Sequence, residues 1–562
     1  MGENLALLFS PPCNWRGGGG GAECLGLASA RWSAVRVAAD DALMQAAPRP
    51  CRDKRRPDGP MIGTSAAELL LIRLFIAFFR YAPLVYSAAL VAVGTLFQDS
   101  PWRRRVSAAL LGLLAAEALF YLAVQVPYGR RLTRAAVHPE PLTSDERRAL
   151  FDECMRNVDD PGSYLRWWFL GAELDDIRRD NLRDFFLWAF FDAEAHGDVV
   201  DDARAQRELD GYIAVVEDRL GKPLLPGRGP ARCLRLTFDD INTTYRGLTW
   251  YVIVFFIDQA THIAMLWHGF RFYARSPSAT LKTFPPRPQE LFARHRSAAP
   301  GLGYWYRPHT QDAVADEELP VVFFHGIGIG LWTYVRFVAE MRGAKTARGI
   351  IVPELMSISF RLAAPPPSKA EFLRQLTLVL ARHGPAWDQF ALVSHSYGSV
   401  LTTHVLSCPE MEARVPSVVL IDPVSVMLHL PDVAYNFTRR QPRSANEWQL
   451  WYFASTDPGV AHCLGRHFFW RENIVWKKDL LGGGHRRAAV TLSGRDLIVD
   501  AAAVADYLEG EEETEDGAAY KKVEVIVFPD IDHAQVFDRP RDRRRVVDIV
   551  DSHCSVQRRP DE

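Results

Sequence analysis

Two long apolar stretches follow one another between residues 65 and 130. Residues 81–97 carry no charged side chain, and residues 69–79 extend this run upstream with Arg73 inside it. Residues 106–127 form the second run, in which Glu117 is the only charged side chain. A helix of about 20 mostly apolar residues can cross a bilayer and tolerates one such charge. The pattern predicts a transmembrane hairpin over 65–130, with two buried helices of a soluble domain as the alternative.

Basic residues flank both predicted spans. They are Lys54, Arg55 and Arg56 before the hairpin, Arg103, Arg104 and Arg105 in its loop, and Arg130, Arg131 and Arg134 after it. Two spans put both chain ends on one side of the membrane. The basic excess on that side predicts that the long C-terminal part faces the cytoplasm, in a membrane whose organelle the pattern does not specify.

Residues 138–300 show a mainly helical, aromatic-rich pattern that we interpret as a membrane-proximal region. Thr143 and Glu146 have capping-box spacing, and helices are predicted over about 144–157, 175–194 and 201–220. We expect the aromatic side chains to form a core, with partial insertion at the membrane surface as the alternative. Residues 248–272 are apolar enough for a third span, yet Asp258 and His262 share one helix face there. That pair predicts a core or interfacial helix in which the two side chains satisfy each other.

From residue 303 onward, short apolar runs alternate with helical patterns. Strands are predicted over 319–324, 349–355, 388–394, 417–421, 487–493 and 523–528. This alternation indicates an α/β domain with a mostly parallel sheet and flanking crossover helices over 303–562.

The third predicted strand leads into an unusual turn. Residues 390–400 read FALVSHSYGSV, in which an apolar run stops at Ser394, Ser396 and Gly398 and a helical pattern follows. This resembles the nucleophile elbow of the α/β-hydrolase superfamily, a strand–turn–helix that exposes a serine hydroxyl. Gly398 fits the close approach of strand and helix that the elbow needs. Ser394 departs from the family, which usually has glycine there.

A glycine-rich segment follows the first predicted strand of this domain. Residues 325–330 read HGIGIG, which resembles the oxyanion-hole loop of the same superfamily. The resemblance implies that the backbone N–H groups of Ile327 and Tyr397 bind the oxyanion. A phosphate-binding turn is the alternative, but the third glycine and the downstream acid of that motif are not evident.

Two further residues complete the resemblance. Asp496 and His533 each follow a predicted strand, and the order Ser396, Asp496, His533 is the one this superfamily uses. A serine hydroxyl needs an imidazole to take its proton, and the imidazole needs a carboxylate to orient it. The resemblance therefore implies Ser396 as nucleophile, His533 as base and Asp496 as acid, with Asp422 as the alternative acid.

Each of these positions also has a structural interpretation. Asp496 alternatively caps a helix predicted over 497–508, and His533 alternatively belongs to a structural loop. His395 contacts substrate or only packs. Asp530 and Asp532 are expected to be solvated or to form turns.

An insertion of the catalytic domain, over about 424–486, is rich in aromatic side chains. It contains Trp448, Trp451, Tyr452, Phe453, Phe468, Phe469, Trp470 and Trp476. Families of this fold often place a lid here, and an aromatic lid favours a lipophilic substrate. The alternative is that these rings fill the core of a small helical subdomain.

Composition excludes several classes of function. The formal charge of -2 and the pI of 6.8 argue against nucleic acid recruited by bulk charge. Eight cysteines without CxxC pairs indicate neither a zinc site nor a disulfide scaffold. Residues 1–64 contain five consecutive glycines and no periodic apolar pattern, which predicts a disordered or targeting segment.

These observations lead to one hypothesis and two alternatives. The hypothesis is a membrane-anchored serine hydrolase that cleaves carboxylic, lipophilic esters through an acyl-enzyme and needs no metal or organic cofactor. An acyltransferase that uses the same triad is the first alternative. The second is a non-catalytic membrane scaffold or binding protein, supported by Ser394 because its side chain is expected to strain the elbow.

Overall fold

A computed structural model describes residues 63, 65–194, 202–310, 313, 318–342, 348–510 and 522–555. The predicted disordered or targeting segment over 1–64 lies outside these ranges except for residue 63.

A nine-stranded sheet forms the centre of the C-terminal part. Its strands are β1 Arg271–Ala274, β2 His295–Arg296, β3 Tyr304–Arg307, β4 Val321–Phe324, β5 Ile350–Pro353, β6 Ala391–His395, β7 Ser417–Ile421, β8 Arg487–Ser493 and β9 Glu524–Phe528. Their order is β2-β1-β3-β5-β4-β6-β7-β8-β9. Strands β5, β4, β6, β7, β8 and β9 run parallel to one another, whereas β3 is antiparallel to both β1 and β5. The predicted mostly parallel sheet is confirmed.

The sheet begins earlier in the chain than residue 303. Strands β1 and β2 lie within the region predicted as helical, and β3 follows at residue 304 without having been predicted. These strands are two to four residues long, which is too short for an alternation pattern to appear in the sequence. We refer to the sheet with its flanking helices, from residue 271 onward, as the sheet domain.

The described residues form helices on both faces of the sheet, in the middle region and in the apolar hairpin. They are α1 Ala66–Leu96, α2 Arg103–Phe120, α3 Val126–Leu132, α4 Ser144–Arg156, α5 Pro161–Trp168, α6 Arg179–Phe191, α7 Ala203–Leu220, α8 Leu248–Trp267, α9 Pro277–Thr280, α10 Pro288–Leu291, α11 Val335–Glu340, α12 Lys369–Ala381, α13 Gly398–Leu406, α14 Pro409–Glu412, α15 Pro431–Thr438, α16 Ala445–Gln449, α17 Pro458–His467, α18 Trp470–Asn473, α19 Lys477–Leu481, α20 Ala501–Glu509 and α21 Pro540–Cys554. A π-helical segment, Tyr121–Gln125, joins α2 to α3. A second one, Leu450–Ser455, follows α16.

The two faces of the sheet have separate cores because side chains alternate along each strand. Val322 and Phe324 of β4 pack on one face with the helical middle region and the insertion. Val321 and Phe323 pack on the other face with α11 and α21. The aromatic side chains of α6 (Arg179–Phe191) are buried in the first core, as predicted for a core rather than for an interface.

Among the residues that the structure describes, three helices are long and apolar enough to cross a membrane: α1, the combined Arg103–Leu132 segment, and α8. The predicted hairpin corresponds to the first two. Glu117, the one charge of the second apolar run, accepts hydrogen bonds from the Leu248 amide at 3.0 and 2.9 Å and from the Tyr245 hydroxyl at 2.5 Å. It therefore binds the free amide at the start of α8 and ties the hairpin to that helix.

The predicted Asp258–His262 pair is wrong. Asp258 bonds Arg287 at 3.0 Å and Arg361 at 2.9 Å, both of which belong to the sheet domain. The ring of His262 instead lies against Phe272 and Trp305, with centroids 5.1 and 4.9 Å away. The arginines compete successfully for the carboxylate because a buried charge needs an opposite charge as its partner.

Candidate active site

Strand β6 passes through a strained turn into α13. Ser396 follows β6 with φ of 53°, a left-handed conformation that is rare for a residue with a side chain. Its amide donates to the Ile421 carbonyl of β7 at 2.9 Å, which holds the turn against the sheet. A Cβ on Gly398 would lie 2.7 Å from the carbonyl carbon of Phe324 and closer still to its oxygen. Only glycine allows α13 to start this close to β4.

Ser394, the departure from the family pattern, is accommodated by a partner on α13. Its side chain is fully buried, and its hydroxyl oxygen accepts a hydrogen bond from the Thr402 hydroxyl at 2.9 Å. The positive φ falls at Ser396 and not at Ser394. The expected strain from the Ser394 side chain is therefore absent from this part of the structure.

The loops after β8 and β9 bring two side chains to Ser396. His533 lies with Nε2 2.8 Å from Ser396 Oγ and with Nδ1 2.6 Å from Asp496 Oδ2. The three residues thus form one chain of hydrogen bonds, from hydroxyl to imidazole to carboxylate. The other oxygen of Asp496 accepts the amides of Ile498 and Val499 at 2.7 and 3.0 Å, so this residue also closes a turn.

The order of Ser396, Asp496 and His533 along the chain, the elbow after β6 and the mostly parallel sheet are features of one superfamily. The chain has the α/β-hydrolase fold. No protein-family profile and no curated protein sequence matches it.

Solved structures align with the chain at low identity. A membrane phospholipase A, described as a bacterial virulence factor, aligns over 62% of this chain and 100% of its own, with 12% identity and a TM-score of 0.34. Naproxen esterase from Bacillus subtilis aligns over 44% and 87%, with 12% identity and a TM-score of 0.31. An esterase from Rhodococcus sp. ECU1013 aligns over 46% and 97%, with 17% identity and a TM-score of 0.31.

Charge and burial act in opposite directions on His533. Burial alone lowers the pKa of its imidazole, but the charge and hydrogen bond of Asp496, helped by Asp422 and Asp532, raise this pKa to about 9. Burial and the nearby Asp496 charge raise the pKa of Asp422, and they raise that of Asp532 to about 6. The site therefore concentrates negative charge around one imidazole.

Asp422, the alternative acid, bonds residues beside Asp496 and His533. Its carboxylate accepts the amide and the hydroxyl of Ser493 at 2.7 and 2.9 Å, and the amide of Ala534 at 3.1 Å. Asp422 thus joins the end of β8 to the residue after His533. The acid within hydrogen-bonding distance of the imidazole is Asp496.

The glycine-rich loop lies directly against Ser396, the predicted nucleophile. A Cβ on Gly326 would be 2.9 Å from Ser396 Cβ. His325 holds the loop, because its Nδ1–H donates to the Gly326 carbonyl at 2.8 Å and its Nε2 accepts the Leu355 amide at 3.0 Å. Burial lowers the pKa of His325 to about 4, so this imidazole is neutral.

The two predicted oxyanion donors lie on either side of this contact. Ile327 follows Gly326 in the loop, and Tyr397 follows Ser396 in the elbow. Neither amide has an acceptor among the residues that the structure describes. Both roles remain predictions.

His395 is part of the packing beneath the site. It is 1% exposed, and its ring lies 5.2 Å from that of His533. The Tyr334 hydroxyl accepts the Gly326 amide at 3.1 Å and donates to His395 Nδ1 at 2.8 Å. Tyr334 therefore connects the glycine-rich loop to the elbow, a role that nothing in the sequence indicated.

Ser396 lies in a nearly closed site, with 6% of its surface exposed. Tyr397 bonds Cys463 of the insertion at 3.3 Å and packs against Phe468 with centroids 6.1 Å apart. Another ring of the insertion, that of Phe453, lies 5.3 Å from the ring of Trp250 in α8. Phe468 therefore lies against the residue that follows Ser396, and Phe453 connects the insertion to the apolar helices, while the lid itself remains a prediction.

Only one group of residues in the described ranges has the spacing of a metal site. It consists of Asp422, Asp496 and His533, whose ligand atoms lie within 4.8 Å of one another. Asp496 and His533 already bond each other, so a metal would have to break the hydrogen-bond chain to Ser396. The donor set fits acid–base chemistry better.

Proposed function

We propose that this protein is a serine hydrolase that cleaves carboxylic esters through an acyl-enzyme. The observation that carries the proposal is the hydrogen-bond chain Ser396–His533–Asp496 at a strained elbow. Ser396 Oγ attacks the ester carbonyl while His533 Nε2 takes its proton, and Asp496 stabilises the resulting imidazolium. The amides of Ile327 and Tyr397 receive the oxyanion. His533 returns the proton to the leaving alcohol and then activates the water that releases the acid.

The site's surroundings support a lipophilic ester, such as a lipid. The residue after the nucleophile packs on Phe468, and the apolar helices α1 and α8 contact the insertion through Phe79 and Trp250, which both lie against Phe453. A substrate that partitions into a membrane is concentrated where such helices lie. We therefore place the enzyme at a membrane surface, with the bilayer as its partner.

We propose two membrane spans, formed by α1 and by the Arg103–Leu132 segment. The third candidate, α8, is held to the sheet domain because Asp258 near its middle is buried and bonded to Arg287 and Arg361. If α8 crossed the bilayer, these two arginines would have to enter it as well, and burying their charges in lipid costs much free energy. The opposite face of α8 exposes Phe256 and Trp267, which suits contact with the membrane surface.

An acyltransferase would use the same acyl-enzyme and differ only in the acceptor. It would be recognised by transfer to an added alcohol that outpaces hydrolysis. The non-catalytic scaffold loses its main support, since Thr402 accommodates the Ser394 side chain.

A fluorophosphonate probe tests the proposal. We expect the wild-type protein in detergent to be labelled and Ser396→Ala to be unlabelled, with both folded. Ser394→Gly is the matched control, since it changes a buried serine in the same turn to the residue that the family usually has; it should be labelled like the wild type. A folded wild type that resists labelling, or a Ser396→Ala variant that still turns over esters, would contradict the proposal.

A further inference from the structure

One buried carboxylate joins the two loops that carry the acid and the base. Asp532 Oδ1 accepts the amide of Leu497, the residue after Asp496, at 2.9 Å. The same oxygen accepts the amide of His533 at 2.7 Å. Asp532 is 5% exposed and accepts the amide of the residue that follows it, so of its two expected roles it forms a turn and is not solvated. Asp532 therefore holds the backbone of the loop that carries Asp496 against the backbone of the loop that carries His533.

The other oxygen of Asp532 is bonded to the insertion. Asn446 of α16 (Ala445–Gln449) donates from Nδ2 to Asp532 Oδ2 at 2.9 Å. The Asn446 side-chain amide has a defined orientation, because its Oδ1 accepts the Ser444 hydroxyl at 2.6 Å and the Glu447 amide at 3.1 Å. Asn446 is 8% exposed, and a buried polar group without a partner is costly. The Asn446–Asp532 bond is therefore specified in both position and direction.

Helix α16 is in turn held by the first apolar helix. The backbone amide of Asn446 donates to the Gly63 carbonyl at 2.7 Å, just before the start of α1. The guanidinium of Arg73 lies 5.3 Å from the ring centre of Trp448. A continuous set of contacts thus runs from α1 through α16 and Asp532 to the triad.

We propose that Asp532 and Asn446 are positioning residues, through which α16 and the apolar helix that holds it set the placement of Asp496 against His533. This inference rests on the proposed serine hydrolase. The distance of 2.6 Å between His533 and Asp496 depends on two separate loops, and Asp532 bonds the backbone of both. A displacement of about 1 Å in such a site can reduce the rate about 100-fold.

A reciprocal exchange of the two side chains tests the bond. Asn446→Asp places a carboxylate against Asp532, and Asp532→Asn places an amide against Asn446, so each single variant loses the donor–acceptor pair. The double variant restores the pair with its direction reversed, and the side-chain carbonyl oxygen that Asp532→Asn leaves in place still accepts both loop amides. At a pH above about 9, where loss of the Asp532 charge no longer changes the neutral fraction of His533, we expect each single variant to lower the rate of fluorophosphonate labelling, and kcat for a short soluble ester, by about tenfold or more. KM should change little, and the double variant should return to within about threefold of the wild type.

Asn473→Asp is the matched control. Asn473 is a buried asparagine of the same insertion that bonds His404 of α13 at 2.9 Å and does not contact the triad loops. This variant should be labelled at close to the wild-type rate. If Asn446→Asp does not fold, Asn446→Ala removes the bond without adding a charge, and the same loss of kcat is expected.

Three results would overturn the inference. The first is wild-type kcat in folded single variants, and the second is a double variant no faster than the slower single one. The third is loss of kcat in Asn473→Asp to the same extent, which would indicate a general effect of the insertion. A wild type that is not labelled overturns the proposed function, and this inference with it; a labelled wild type with unaffected single variants overturns this inference alone.

Discussion

The ionisation of His533 gives the sharpest prediction. His533 must be neutral to take the proton of Ser396, yet burial, which lowers its pKa, is outweighed by Asp496, and the pKa rises to about 9. The reaction rate of Ser396 should therefore rise with pH and level off only above that value. Asp496→Asn removes the largest of the charges that raise this pKa, so burial is then opposed by Asp422 and Asp532 and the pKa of His533 falls.

The size of the effect follows from the neutral fraction of the imidazole. With a pKa of about 9, about 1% of His533 is neutral at pH 7 and half is neutral at pH 9. The labelling rate should rise roughly 50-fold over that interval. In Asp496→Asn the rate at high pH should fall by about 10⁴, as in other triads, while the midpoint of the rise moves to lower pH.

The same shift has a consequence for stability. A folded pKa above the unfolded value means that protonated His533 stabilises the fold. This contribution is fully present below about pH 6.5 and is lost as pH rises through about 9. The pKa values of Asp422 and Asp532 are raised by burial and by Asp496, but both groups titrate at lower pH than His533. The loss of stability as the pH rises through about 9 is therefore assigned to His533.

The assay is the second-order rate of fluorophosphonate labelling between about pH 6 and about pH 10. Ser394→Gly is the control, and it should share the wild-type profile. A wild-type midpoint at or below about 6.5 would show that Asp496 does not hold His533 charged. A midpoint that stays in place in Asp496→Asn would assign the shift to another group, and either result would refute the geometry on which the proposed function rests.

Two further predictions concern the elbow and the membrane. Gly398→Ala places a Cβ against the Phe324 carbonyl, and such overpacking destabilises the fold by about 1–3 kcal/mol or more. We therefore expect a lower melting temperature and loss of labelling. A fully stable, labelled variant would contradict the close approach of α13 to β4. The expressed protein should stay in the membrane pellet after carbonate extraction because of α1 and the Arg103–Leu132 segment, whereas release into the supernatant would contradict the two spans.

The mutually parallel strands of the sheet could be predicted, the four-residue β4 and β5 included, because each lies in an apolar run between clear turn signals. Strands β7 and β8 have the predicted bounds, Ser417–Ile421 and Arg487–Ser493. The short strands β1 and β2 could not be predicted from the sequence. They are strands only because β1 pairs with both β2 and β3 in the folded protein. A segment of two to four residues has no periodicity of its own.

Electrostatic partners were harder to predict than side-chain types. Asp258 and His262 have the spacing of neighbours on a helix, and that local geometry suggested a pair. The partners of Asp258 are Arg287 and Arg361, which the fold brings from far along the chain. The same limit applies to Asp532, whose acceptor role depends on amides in two loops and on Asn446 in the insertion.

Ser394 shows how a departure from a family pattern can mislead until its partner is known. Glycine is usual at this position because strand and helix approach closely, so a larger residue indicates strain. Here the hydroxyl of Thr402 meets that of Ser394 at 2.9 Å, and two side chains fill the space together. A buried pair of this kind is satisfied in its hydrogen bonding and adds packing, so the departure is compatible with an intact elbow. The positions that admit no such substitution are Gly398 and Gly326, where the nearest atoms are backbone or belong to the nucleophile and its neighbour His395.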